Sequence, residues 1–288
     1  MQSIIEQITE WLRTMLVSGI MDNLTGMFDS VNQQVASMTG DIGMTPAEFS
    51  PGIFSLIQNI SETAIMPIAG MILTFIACYE LIQMIIEHNN LANFDTWIFF
   101  KWILKTYIAV VLITNTFNIT MAIFDMAQHV VSASGGLISQ NTAIDTSALS
   151  AMEEQLLTKE LGVLLSIFMQ TLIVQVGTQI LAIVIFIIVY GRMIEIYLST
   201  SLAPIPLATL ANKEQGQMGQ NYLRSLAALG FQGFLMMICI GIYAILIQSI
   251  TVSSDIVASI WGVLGYTVLL AFTLFKTYNL SKSIFNAH

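Results

Sequence analysis

Few residues in this chain have the types and spacing that chemistry needs. The three histidines, His88, His129 and His288, are scattered, with no Ser/His/Asp grouping and no glycine loop of the phosphate-binding kind. Cys78 and Cys239 both stand in apolar runs and read as small apolar fillers, not as a disulfide framework or a zinc site. The expectation is a protein that is not an enzyme and uses no cofactor or metal.

What chemistry remains belongs to polar groups set among apolar ones, where lipid offers no hydrogen-bond partner. Glu80 is an acid well inside an apolar run, within reach of Lys101 or Lys105 as a structural ion pair. Thr171, Gln175 and Gln179 recur at i, i+4 and i+8, with Gln170 beside them. Such a stripe can line a wet pathway without binding ions tightly, or bond neighbouring helices together. Asn115, Thr116, Asn118 and Thr120 read as the same kind of interhelical glue.

The sharpest feature runs from Arg192 and Glu195 to Pro204 and Pro206. Arg192 and Glu195 stand at i, i+3, close enough to pair on one helical face. Two prolines within three residues remove two backbone donors, so the spacing predicts that no regular helix continues through them. The stretch 196–211 then reads as an elbow or re-entrant piece, with Arg192, Glu195, Pro204, Pro206 and Arg224 as candidate partner contacts. Gly230, Gly233, Gly241, Gly262 and Gly265 are candidate helix-packing positions.

The elements that hold these residues follow from composition. Of 288 residues 56% are hydrophobic and only 9% charged, with mean hydropathy +0.78, whereas soluble domains carry roughly 25% charged residues. A soluble globular domain is excluded. The net charge of -9 leaves no basic surface for phosphates. Apolar runs of about 20 residues fall at 64–86, 102–124, 166–190, 230–250 and 256–275. The fold class is therefore all-α: a polytopic membrane bundle with about five transmembrane helices and an amphipathic helical N-terminal region.

The expected organisation is an extracytoplasmic amphipathic region 1–63, spans one and two in 64–125, an extracytoplasmic loop 126–160, a long third span 161–190, a cytoplasmic elbow and amphipathic helix 191–229, spans four and five in 230–275, and a cytoplasmic tail 276–288. In the N-terminal region Ile4, Ile8, Trp11 and Met15 share one stripe, and Leu24, Phe28, Val31 and Val35 a second. The polar face is acidic, which favours packing on protein over anionic lipid. A turn-rich stretch, Thr39 to Pro51, closes the region, and Ser150 with Glu153 reads as a capping box opening a helix that runs to Tyr190. Glu6 and Glu10 ahead of Arg13 are the wrong order for a cleavable signal peptide.

Basic residues near span ends decide orientation. An N-out, C-in arrangement puts Lys101, Lys105, Arg192, Lys213, Arg224, Lys276 and Lys282 in the cytoplasm and only Arg13 and Lys159 outside. With this arrangement, and with Arg192, Glu195 and the run Leu202-Ala203-Pro204-Ile205-Pro206 after a long third span, the chain resembles the TrbL-type channel subunits of bacterial type IV secretion. Motif-level likeness covers 191–233, the general pattern 64–275. The small size is similar to versions carried by mobile elements of Gram-positive bacteria.

The resemblance implies a homo-oligomeric channel subunit in the bacterial cytoplasmic membrane. It would act with the system's ATPases, coupling protein and other channel subunits to move a DNA–relaxase complex through the lipid bilayer during conjugation. Two rivals stand beside it. One is a small-solute transporter, which would show broken helices in both halves; the other is a structural scaffold.

Overall fold

The computed structural model describes residues 2–87, 96–139, 147–212, 215–251 and 255–287. His88, Lys213, His288 and the middle of the expected loop, 140–146, lie outside the described residues. Among those described, all regular structure is helical: α1 (Gln2–Gly43), α2 (Pro46–Phe49), α3 (Pro51–Ile60), a π-helical turn (Ser61–Ile65), α4 (Met66–Glu87), α5 (Thr96–Thr114), α6 (Thr116–Ser139), α7 (Ser147–Leu157), α8 (Leu161–Leu202), α9 (Pro204–Ala208), a 3-10 turn (Thr209–Ala211), α10 (Gly216–Thr251) and α11 (Ile256–Phe285).

Among the described residues, five helical runs are long and apolar enough to cross a membrane: Pro51–Ile86, Trp97–Thr114, Leu161–Leu202, Gly216–Ile250 and Ile256–Phe285. The protein is an all-α polytopic bundle, and each run overlaps one of the five apolar stretches read from the sequence. The helices outrun those stretches because backbone bonding continues through polar residues until a breaker or cap stops it. In the first run the π turn Ser61–Ile65 precedes Pro67. A widened turn gives the proline ring room and lets the helix continue.

Three boundaries differ from the sequence reading. The region 126–160 is not an irregular loop in its described parts: α6 runs through Gly135 to Ser139, and α7 begins at Ser147. Ser150 therefore sits inside α7 and opens no helix. The expected helix to Tyr190 is instead interrupted after Leu157, where Thr158 N bonds Gln155 O at 3.3 Å and Lys159 N bonds Leu156 O at 3.0 Å. It resumes as α8 and passes Tyr190 without interruption to Leu202, a length of about 60 Å. Nothing between Gly191 and Leu202 removes a backbone donor, so 196–202 is helix and not a broken segment.

The turn-rich stretch at the end of the N-terminal region is likewise mostly helical. α1 continues to Gly43, and Thr45 opens α2 through a true capping box. Thr45 Oγ1 accepts from Glu48 N at 3.2 Å, and Glu48 Oε2 accepts from Thr45 N at 3.0 Å. Thr45 Oγ1 also donates to Glu48 Oε2 at 2.9 Å, and the bonds from the Thr45 backbone and hydroxyl favour the charged carboxylate and hold Glu48 below the usual carboxylate range.

The residues cluster into two compact units. The first comprises 1–43, 132–189 and 235–277. Here Gly19 of α1 lies against Phe168, whose ring a Cβ would meet at 2.8 Å, and Gly177 lies against Leu264 at 2.9 Å. Along α1 the stripe is buried from Val17 through Ile20, Leu24, Met27, Val31 and Val35. The stripe's first turns differ: Ile4, Ile8, Trp11 and Met15 are all more than half exposed.

The second unit comprises 44–131, 190–234 and 278–288. One core gathers Ala69, Leu73 and Ile76 of α4 with Ala109 and Ile113 of α5 and Ala208 and Ala211. Another joins Phe124 to Met193, Ile196 and Tyr197 of α8 and to Leu226 and Leu229 of α10.

Candidate functional site

Within the second unit, Pro204 and Pro206 make a turn with helix on both sides. Pro204 opens α9 and Pro206 follows in its first turn, positions whose amide protons have no partner inside a helix in any case. The break is confined to Ala203, whose N bonds Thr200 O at 3.2 Å while its O accepts Leu207 N at 3.2 Å. The prolines redirect a helix here; they do not end helical structure.

The elbow is latched. Thr209 Oγ1 donates to Pro206 O at 2.7 Å and accepts from Gly219 N at 3.1 Å, tying the 3-10 turn to the first turn of α10. Gly219 is required there, since a Cβ would stand 2.6 Å from the carbonyl oxygen of Pro206. Tyr222 Oη adds a bond of 2.7 Å to Ser199 O. The apolar side of the elbow enters the core shared with α4 and α5, so Pro204 is buried and Pro206 half-buried.

Arg192 was expected to pair with Glu195. It does not. Its side chain is 6% exposed and turns to α10, where Nε donates to Leu229 O and Nη2 to Gly230 O, both at 3.3 Å. The missing side chain at Gly233 makes the room: a Cβ there would lie 2.7 Å from Nη2. Helical spacing permits the i, i+3 pair, but a pocket with two carbonyls on the facing helix outcompetes it. Glu195, half-buried, instead engages Tyr278, whose ring lies 4.6 Å from Lys282 Nζ. Of the five residues expected at a partner surface, Arg224 alone is exposed.

Glu80 Oε1 pairs with Lys105 Nζ at 2.5 Å, and Trp102 Nε1 donates to Ala77 O at 3.1 Å, so α4 and α5 are joined twice near one end. Of the polar run at the junction of α5 and α6, Asn115, Thr116 and Thr120 bond within their own chain. Thr114 Oγ1, Asn115 Nδ2, Thr116 Oγ1 and Thr120 Oγ1 all donate to carbonyls three or four residues earlier in their own chain. Side chains that compete for backbone acceptors bend a helix, and α5 gives way to α6 at Asn115.

In the first unit the stripe on α8 divides by depth. Thr171 Oγ1 accepts from Asn23 Nδ2 of α1 at 3.0 Å, and Gln170 Oε1 accepts from Trp261 Nε1 of α11 at 2.8 Å. Gln175 lies near Gly26, and Gln179 is exposed. Two members thus bond neighbouring helices. Asn23 and Trp261 were missed as their partners because a polar stripe names its own face, not the residue opposite.

The glycines also divide. Gly230 lies against Ala127 at 2.9 Å and Gly262 against Ile250 at 2.9 Å, measured to the position of an added Cβ. Gly241 is half-buried. Gly265 is exposed and meets no neighbouring helix within 4 Å among the described residues. Gly219 was not singled out, although its closeness to two prolines in sequence was the available signal.

The sequence profile of the TrbL/VirB6 plasmid conjugal transfer-like proteins matches residues 31–204, more than half of the chain. The chain belongs to this family. The TrbL/VirB6 match begins within α1, takes in all of α8, and ends at Pro204, so it meets the motif expected at 191–233 only in its first part. No curated protein and no solved structure matches the chain. Membership in TrbL/VirB6 makes the protein a component of a conjugal transfer system, and its five apolar helices make it a multi-pass membrane protein.

Proposed function

We propose that this protein is a channel subunit of a conjugative type IV secretion system, helping a DNA–relaxase complex across the bacterial cytoplasmic membrane. The observation that carries the reading is the TrbL/VirB6 match over residues 31–204, which includes the long α8 and reaches the elbow. The chain is set N-terminus out and C-terminus in, as its basic residues favour. It acts as a homo-oligomer with the system's ATPases, coupling protein and further channel subunits supplying power and cargo. Gln179, exposed in the single chain, is the member of the polar stripe suited to face a pathway between copies. The exposed Arg224 is the basic residue of the 191–229 segment suited to a cytoplasmic partner.

The test is transfer of the mobile element from a donor lacking this gene and complemented with variants. Replacing Pro204 and Pro206 together by Ala, or Arg224 by Glu, should lower transfer frequency while membrane insertion, followed by tagged protein in the membrane fraction, stays normal. Full transfer by both variants would discard the elbow as the working part. Full transfer without the gene would discard the channel role itself. A cysteine at Ser30 should label with an impermeant thiol reagent in intact cells and one at Ser283 should not; the reverse overturns the orientation.

A further inference from the structure

The second unit contains a groove that the channel reading does not use. One wall is a stripe of α5 at helical spacing, Lys101, Leu104, Lys105, Ile108 and Leu112, and the other is the elbow, chiefly Leu207 and Leu210. It encloses about 250 Å³. Apolar side chains line all of it except one end, where the two lysines stand.

Three observations say what such a groove takes. First, the rise from Lys101 to Leu112 is about 16 Å, roughly half of the ~30 Å hydrocarbon thickness of a bilayer. The groove is therefore one leaflet deep along a candidate span. Secondly, the lysine end carries an aromatic girdle. Trp97 is 58% and Phe100 54% exposed, and their rings stack at 5.8 Å, the composition that marks the level of lipid headgroups. Thirdly, the charge at the mouth does not cancel. Lys105 is paired with Glu80 at 2.5 Å, while Lys101 lies 5.7 Å from the Trp97 ring and makes no ion pair among the described residues. One cation at headgroup level above an apolar slot one leaflet deep fits an amphiphile with one anionic head.

We propose that this groove binds an anionic glycerophospholipid of the phosphatidylglycerol class, its phosphate on Lys101 and one acyl chain between α5 and the elbow. Bound there, the lipid touches Leu207 and Leu210 directly and so braces the elbow against the first two spans. The proposal needs only the five membrane helices and the groove, and it stands or falls apart from any role in DNA transfer.

The test is native mass spectrometry of the full-length protein in a neutral detergent with equimolar phosphatidylglycerol and phosphatidylethanolamine. A one-to-one phosphatidylglycerol adduct should predominate. Lys101→Gln, an exposed position, should lower the phosphatidylglycerol to phosphatidylethanolamine ratio about fivefold, the contribution of one cation at a membrane surface. Ile108→Trp, which fills the slot from an exposed position, should reduce both adducts. Equal retention of the two lipids by the unaltered protein, or a ratio that Lys101→Gln leaves unmoved, would overturn the proposal. So would displacement of the lipid by inorganic phosphate, the mark of a headgroup-only site. A disulfide-linked dimer formed in membranes by Leu104→Cys would also overturn it, because a second copy would then cover the groove.

Discussion

The guanidinium of Arg192 occupies the space that a side chain at Gly233 would need, with Nη2 2.7 Å from the position of the absent Cβ. An arginine buried on α8 is thus held by two carbonyls of α10 and by one missing methyl group. Gly233→Ala should destabilise the protein by about 1–3 kcal/mol through overpacking, read as unfolding in mixed detergent. The cost should shrink when Arg192→Met is also present, since the two residues touch and their effects couple. Equal cost in both backgrounds would show that the guanidinium is not what Gly233 accommodates.

The latch at Thr209 offers a second check. Thr209→Val keeps the shape and removes both the bond to Pro206 O and the acceptor for Gly219 N. Loss of one side-chain bond and stranding of a buried amide should cost about 1–3 kcal/mol, and amide exchange at Gly219 should quicken. Gly219→Ala should be worse than Thr209→Val, because its Cβ meets a backbone oxygen that cannot swing aside.

At the start of α2 the prediction concerns pH. Glu48 is held below the ordinary carboxylate range by bonds from the Thr45 backbone and hydroxyl. A folded value below the unfolded one means the stabilisation is present above the ordinary carboxylate pKa and lost as pH falls through the depressed value. Carbon-13 titration of the glutamate carboxyls should therefore show Glu48 protonating at lower pH than exposed glutamates without such bonds. Thr45→Ala should move it back toward them.

In the first unit Gln170 and Trp261 form a bond across two helices at 2.8 Å. In a variant whose other three tryptophans are replaced, Gln170→Leu should shift Trp261 emission, reporting a freed indole N–H. Thr171→Val, which breaks the bond from Asn23 and the hydroxyl's own bond to Phe168 O within α8, should cost about 0.6 kcal/mol, the average for polar pairs between membrane helices, since the Phe168 carbonyl keeps its helical partner. A cost several times larger would show that this pair joins its two helices more strongly than the average.

Much of this fold is legible in the residues because the bilayer asks a simple question of them. Five runs with few charges had to become five helices, since lipid leaves no other way to satisfy the backbone. The capping boxes show where local reading stops. Thr45-Pro46-Ala47-Glu48 and Ser150-Ala151-Met152-Glu153 both fit the pattern, yet only the first opens a helix. Pro46 at the first helical position and the end of α1 at Gly43 distinguish them. Ser150 instead falls three residues into a helix that had already begun.

The same division holds for the candidate site. Sequence by itself determined the class of the protein, the number of its spans, the bend at Pro204 and Pro206, and that Glu80 would pair with Lys101 or Lys105, because each depends on hydropathy, on a missing amide proton, or on a charge with few partners. Only the tertiary structure decided that Lys105 and not Lys101 takes Glu80, that Arg192 abandons Glu195 for α10, that Trp261 and Asn23 answer the polar stripe, and that Gly265 meets no neighbouring helix among the described residues. Those outcomes turn on which face of which helix arrives opposite, and the packing of distant segments, not the spacing within one, sets that arrival.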